Sequence, residues 1–115
     1  MWRDDGSLLD ILNAARSIQS FTKDVDEERF LRDELVQSAV IRQFEIIGEA
    51  SGRISTGFVV DHPAIPWREM VSMRNRLIHG YDVADRDLVW DTIREDLPAL
   101  VGQLEEILEG IQPPD

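Results

Sequence analysis

The side chains best suited to chemistry are those of Arg74, His79 and Tyr81, which lie close together in the sequence. Histidine titrates near neutral pH, so it takes up or releases a proton under physiological conditions. Arginine stays charged and holds a phosphate group through two hydrogen bonds. This pair would supply the minimum for cleaving RNA without a metal ion. His79 would deprotonate the ribose 2′-hydroxyl, and Arg74 would stabilise charge on the five-coordinate phosphorus.

A purely structural role for these residues is the alternative. His79 would then interact with the C-terminal end of a helix dipole, and Arg74 would form a surface ion pair with Glu69 or Asp82. On a regular helix, positions 74 and 79 lie about 140° apart and do not share a face. A shared phosphate therefore requires either a helix distorted near Gly80 or a site shared between two subunits across a two-fold axis.

The charge distribution singles out the same segment. The chain has a net charge of −11 and a pI near 4.5, which disfavours general attraction to nucleic acid. Residues 62–81 nevertheless carry Arg68, Arg74 and Arg76 against Glu69 alone. Lys23 is the only lysine, so nearly all the basic groups are guanidinium groups. The only net-positive segment is thus the one with the candidate chemistry.

Helical periodicity dominates the sequence around this segment. Ser7 and Asp10 predict a capping box that opens a first helix. That helix carries an apolar stripe of Leu8, Ile11, Leu12, Ala15, Ile18 and Phe21. A short helix is expected within residues 23–34, and a second long helix runs to about Ser51. Gly48 lies inside the second helix, where close helix packing would explain a residue of low helix propensity.

The second half of the chain predicts two further helices. Residues 52–66 contain two glycines and two prolines and are expected to form one long loop. The third helix runs from about Pro66 to His79, and Gly80 ends it. Asp85 or Asp87 opens a fourth helix, which Pro98 should kink or split. The predicted fold is a single all-α domain over residues 1–115. It is an antiparallel four-helix bundle with a kinked last helix and a short extra helix.

Several classes of protein are disfavoured by composition. The chain has no cysteine, which excludes disulfides, thiolate metal sites and cysteine nucleophiles. His62 is a lone loop histidine without a second His or Cys to form a metal site, so neither a metal nor a cofactor is expected. No apolar run is long enough for a membrane span, and the N-terminus lacks signal-peptide features. A cytoplasmic protein without membrane association is the expectation.

The motif resembles that of a known family. Arg74, a polar residue after it, and His79 match the Arg-x4-6-His pattern of HEPN domains, and Tyr81 extends it to the Arg-x4-His-x-Tyr form of HepT-type toxins. Four further segments resemble that family in the same order. They are VIRQFEIIGEA (40–50), PAIPWREM (63–70), DLVW (87–90) and EDLP (95–98). The resemblance covers roughly residues 8–110, and this ordered set is far more specific than the short motif.

The resemblance implies a function and partners. HEPN proteins are helical bundles that usually form homodimers with a shared cleft. HepT-like members are ribonuclease toxins of type VII-like toxin–antitoxin pairs. Their antitoxin is a minimal nucleotidyltransferase (MNT), which transfers AMP from ATP to the motif tyrosine, here Tyr81. Arg74 and His79 would be catalytic on an RNA substrate. Asn75 would orient His79 or touch the phosphate, Arg76 would contact phosphate or partner, and Glu49 would pair with an arginine near the site.

Two other functions compete with the ribonuclease. One is a non-catalytic HEPN module that binds a nucleotidyltransferase. The other is an acidic helical adaptor unrelated to nucleic acid. The presence of Arg74, His79 and Tyr81 together favours the enzyme over the binding module.

Overall fold

The computed structural model describes residues 3–81 and 83–111, and these residues form helices and short connections. Seven α-helices are labelled in chain order. They are α1 (Arg3–Thr22), α2 (Glu27–Arg32), α3 (Glu34–Gly52), α4 (Thr56–Asp61), α5 (Trp67–His79), α6 (Val83–Asp91) and α7 (Leu97–Ile111). A π-helical turn, Thr92–Asp96, joins α6 to α7. The predicted all-α class is confirmed.

Packing centres on α3, which lies against α1 on one side and α5 on the other, while α1 also contacts α7. The apolar stripe predicted for α1 is buried from Leu8 to Ile18. Phe21 is the exception, because its side chain is 42% exposed. At 100° per residue, Thr22 rather than Phe21 continues the stripe. Thr22 is buried, and its hydroxyl donates to the Ile18 carbonyl at 2.8 Å.

The starts of two helices differ from the prediction. Helix α1 already begins at Arg3, so Ser7 and Asp10 lie inside it and form no capping box. Helix α6 begins at Val83, ahead of both Asp85 and Asp87. The Asp85 side chain is buried and forms an ion pair with Arg76 of α5. In α1 a longer helical arrangement overrides the local capping signal.

The predicted loop over 52–66 contains helix α4, so that prediction was wrong in part. Ser55 caps α4, since its hydroxyl accepts a hydrogen bond from the Phe58 amide at 3.3 Å. The Phe58 ring stacks on His62 at 4.0 Å and meets Trp67 edge-on. These aromatic contacts stabilise a six-residue helix of low intrinsic propensity.

The predicted interruption near Pro98 takes the form of the π-helical turn. The Leu97 amide donates to the Thr92 carbonyl, five residues back instead of four. Pro98 has no amide hydrogen, and in a regular α-helix its ring would crowd the Arg94 carbonyl. The wider turn just before Pro98 relieves this conflict and lets the helical path continue into α7.

Within the two described ranges, no helix combines the length and apolar character that crossing a membrane would require.

Candidate active site

Helix α5 carries most of the candidate residues, and its apolar face anchors it. Trp67, Met70 and Leu77 are buried on that face, at spacings that place them toward the core. The Trp67 indole also donates to the His62 carbonyl at 3.0 Å, which fixes the start of the helix. The remaining face of α5 presents the polar residues of the motif.

Gly48 of α3 sets how closely α5 approaches. A Cβ added at Gly48 would lie 2.2 Å from the Arg74 Cβ and 2.8 Å from the Met70 carbonyl oxygen. Real Cβ atoms do not come this close to other heavy atoms, so only glycine fits. The close packing expected from the sequence is confirmed, and it presses α3 directly against the base of the Arg74 side chain.

The Arg74 guanidinium group is left without an ion pair among the described residues. Its Nη1 donates to the Asn75 Oδ1 at 3.2 Å, while its Nε is buried and has no hydrogen-bond partner. Of the two surface partners considered from the sequence, Glu69 does not pair with it, and Asp82 lies outside the described residues. An unpaired, partly buried guanidinium group is suited to receive an anion.

His79 is the last residue of α5 and its side chain is exposed. The Gly80 amide donates to the Arg76 carbonyl at 3.2 Å, so helical hydrogen bonding continues to the end of α5. The helix is therefore regular across the motif, and the distortion considered from the sequence is not present. Because α5 is regular, the side chains of Arg74 and His79 point in directions about 140° apart around the helix axis.

Arg76 forms an ion pair with α6 within the chain. Its Nε donates to Asp85 of α6, whose side chain is only 4% exposed. A buried carboxylate needs such pairing to remain charged, so this ion pair ties α6 to α5. Asp85 was missed as a partner because the sequence suggests it as a helix start.

Tyr81 lies just beyond α5 and is half-buried against α6. Its hydroxyl oxygen is buried, and the guanidinium carbon of Arg86 lies 5.9 Å from the ring centre. Burial raises the pKa of Tyr81, while the positive charge of Arg86 opposes that shift. The phenol is therefore protonated at neutral pH. Arg86 is a residue that sequence reasoning missed, because nothing in its position distinguishes it from other arginines.

The remaining predicted residues are less closely associated with the motif. Glu49 is exposed, and no described arginine lies within ion-pair distance of it. Asn75 contacts Arg74 rather than His79. Within the described part of the chain, no three His, Asp or Glu side chains cluster in a way that could hold a metal ion. The structure thus groups Arg74 with Asn75, and Tyr81 with Arg86.

Comparisons with known proteins bear on the same segments. The family described as Ribonuclease HepT-like matches residues 11–107. A protein of Thermococcus cleftensis named "Probable ribonuclease HepT" is 48% identical over 100 residues, covering 87% of this chain and 91% of the relative. A "Putative RNase" of Methanocaldococcus jannaschii is 44% identical over 98 residues, covering 85% and 90% respectively. No solved structure gives a significant match to the chain.

Proposed function

The chain belongs to the HepT-like ribonuclease family, and we propose that it cleaves RNA through Arg74 and His79 without a metal ion. The observation that carries this proposal is the Arg74 side chain. It is seated against Gly48, its Nε is buried and unpaired, and it lies on the same helix as an exposed histidine. Attack by the 2′-hydroxyl requires two groups, a positioned cation and a base. Arg74 would supply the cation and His79 the base.

The proposed reaction is an internal displacement at phosphorus. The His79 imidazole takes the proton of the ribose 2′-hydroxyl, and the 2′-oxygen bonds to the adjacent phosphorus. Arg74 binds the non-bridging oxygens as negative charge develops on them. The bond to the 5′-oxygen breaks, and that oxygen leaves with a proton from an imidazolium. The products are a 2′,3′-cyclic phosphate and a 5′-hydroxyl end.

The regular geometry of α5 supports a site shared by two subunits. Within one chain, Arg74 and His79 point about 140° apart around the helix. Across a two-fold axis, Arg74 of one subunit would face His79 of the other, and each dimer would contain two such sites. This arrangement would also concentrate guanidinium groups around one phosphate, which would offset the acidic net charge of the chain locally.

Complementation between two inactive variants tests the shared site. Arg74→Ala and His79→Ala proteins are each expected to be inactive, and co-expressed they should regain about a quarter of wild-type cleavage. Half of randomly mixed dimers are heterodimers, and each of these has one intact site of its two. Cleavage is measured on RNA by the dimer fraction. Full inactivity of the co-expressed dimers would instead place Arg74 and His79 of one site in the same chain.

Tyr81 is the proposed point of control by a nucleotidyltransferase antitoxin, which would make the ribonuclease a toxin. The Tyr81 oxygen would attack the α-phosphorus of ATP, pyrophosphate would leave, and the phenol proton would pass to a base. Because burial raises the pKa of Tyr81, the transferase must supply that base. Because the hydroxyl is buried, the side chain must also turn away from Arg86 before transfer. The added AMP would compete with RNA phosphate for nearby arginines.

Replacing Tyr81 with phenylalanine tests this control separately from cleavage. The variant is expected to retain RNA cleavage within about twofold, because the lost hydroxyl has no hydrogen-bond partner among the described residues. It is expected to accept no AMP from the transferase, which intact-mass spectrometry measures. Full AMP addition to the Tyr81→Phe protein would show that another residue is modified.

A further inference from the structure

A second group of arginines surrounds a groove outside the motif. The groove has a volume of about 520 Å³ and lies between α2, the start of α3, and α6. Its polar lining comprises Arg29, Arg32, Asp33, Glu34, Gln37 and Arg86. In a chain with a net charge of −11, three guanidinium groups around one groove are a local reversal of the overall charge.

Arg86 connects this groove to the motif. It lines the groove, and its guanidinium group also lies over the Tyr81 ring. Its Nε is buried without a hydrogen-bond partner, as is the Nε of Arg74. Among the described arginines, these two are the only ones with such a buried and unpaired Nε. An unsatisfied buried donor costs free energy, and an anion with several acceptor oxygens would satisfy it.

The other two arginines are held only by weak surface pairs. Arg32 lies 3.4 Å from Glu28, and the two side chains are 73% and 80% exposed. Arg29 lies 3.4 Å from Asp33, whose carboxylate also accepts the Val36 amide as the N-cap of α3. Exposed pairs of this kind contribute about 0–1 kcal/mol, so a phosphate replaces them at little cost. Asp33 stays bound to its helix end when Arg29 turns to a ligand.

We infer that this groove binds a phosphate of the RNA strand next to the scissile phosphate. The inference rests on the proposed ribonuclease function and adds a subsite to it. Arg86, which lies beside Tyr81, would bind the part of the strand nearest the motif. Arg32 and Arg29 would bind the sugar-phosphate backbone further along. Guanidinium forks bind phosphate and carboxylate oxygens alike, and the proposed ribonuclease function selects the phosphates of an RNA strand as the ligand. The carboxylates of Asp33 and Glu34 limit the groove to a net charge of about +1, so binding remains dependent on salt.

The test uses binding rather than cleavage as its first readout. The probe is a fluorescent oligoribonucleotide with 2′-O-methyl groups, which lacks the attacking hydroxyl and is not cut. Arg32→Gln is the principal variant, because its exposed side chain has no role in the core. Its affinity is expected to fall about fivefold at low salt. The slope of log Kd against log salt should decrease by about 0.7, the value for one phosphate contact on a single strand.

Arg86→Gln and a control complete the experiment. Arg86→Gln should weaken binding by at least as much as Arg32→Gln. Arg16→Gln removes another exposed arginine, one that pairs with Glu105 on the α1–α7 side of the bundle. It should leave the affinity within twofold of wild type. In cleavage assays, Arg32→Gln should raise KM and leave kcat unchanged, since the groove binds a neighbouring phosphate of the strand and not the reacting one.

The outcomes separate this inference from the proposed function. In one outcome, wild type cleaves RNA and binds it tightly, while Arg32→Gln and Arg86→Gln leave the Kd and the salt slope unchanged. That outcome would overturn the assignment of the groove as an RNA-binding subsite and leave the proposed ribonuclease function intact. Equal weakening by Arg16→Gln would show a general effect of charge and would also overturn it. A wild-type protein that neither binds nor cuts RNA would overturn both proposals. Loss of binding to a partner protein, with RNA binding kept, would assign the groove to that partner instead.

Discussion

Replacement of His79 by alanine is expected to lower the rate of RNA cleavage by about 10²–10⁴-fold, the usual contribution of a general acid–base residue. His79 is exposed at the end of α5 and is not part of the buried core, so the fold should be unaffected. The assay is cleavage of total RNA by purified protein in EDTA, with analysis of the ends produced. Wild type should leave 2′,3′-cyclic phosphate and 5′-hydroxyl ends.

His62 provides a matched control, because it is the other of the two histidines in the chain. Its ring stacks on Phe58 and its Nδ1 lies 3.0 Å from the Phe58 carbonyl, away from the motif. His62→Ala should therefore cleave RNA like wild type, with at most some loss of stability. Equal cleavage by His79→Ala and wild type would remove His79 from the mechanism. No cleavage by folded wild type free of AMP would favour the alternative function, a non-catalytic module that binds a nucleotidyltransferase.

The all-α architecture could be predicted because amphipathic periodicity is a local property of the sequence. The stripe from Leu8 to Ile18 and the span of α5 both follow from spacing and from flanking proline and glycine residues. Helix α4 could not be predicted, because it depends on the contacts of Phe58 with His62 and Trp67. Tertiary contacts of this kind override local propensity.

Part of the candidate site could likewise be predicted from the sequence, and part could not. Arg74, His79 and Tyr81 were predicted from the motif, since their order along the chain is the signal. The partners of those residues were not, because only the fold shows that the side chains of Asp85 and Arg86 turn back to Arg76 and Tyr81. The role of Gly48 was predicted only in part. Its place inside a helix suggested close packing, but only the fold shows that Arg74 is the residue packed against it.

Replacing Gly48 with alanine is expected to affect both stability and cleavage. The new Cβ would meet the Arg74 Cβ and the Met70 carbonyl, and these atoms move only if α5 moves. Overpacking of this kind typically costs about 1–3 kcal/mol, and alanine recovers about 1 kcal/mol of helix propensity. Because both contacts are far shorter than van der Waals distance, we expect a net loss of about 2 kcal/mol in the free energy of unfolding.

Gly102→Ala is the matched control for this change. Gly102 also lies inside a helix, α7, but a Cβ there would meet nothing within 4 Å. This variant should gain about 0.5–1 kcal/mol of stability from helix propensity alone and should keep wild-type cleavage. Denaturant unfolding of both variants measures whether the free energy of unfolding falls for Gly48→Ala and rises for Gly102→Ala.

Cleavage by Gly48→Ala reports on the position of Arg74. A displacement of about 1 Å at a catalytic group lowers the rate by about 10²-fold, and the close contact at Gly48 forces a shift of that order on α5. The rate is compared with that of Gly102→Ala at a temperature where both proteins are fully folded, so that stability does not enter. Normal cleavage by folded but destabilised Gly48→Ala would mean that the guanidinium group reaches its phosphate from a shifted helix. In that case the length of the arginine side chain, rather than the packing of α5 on α3, would set the geometry of the site.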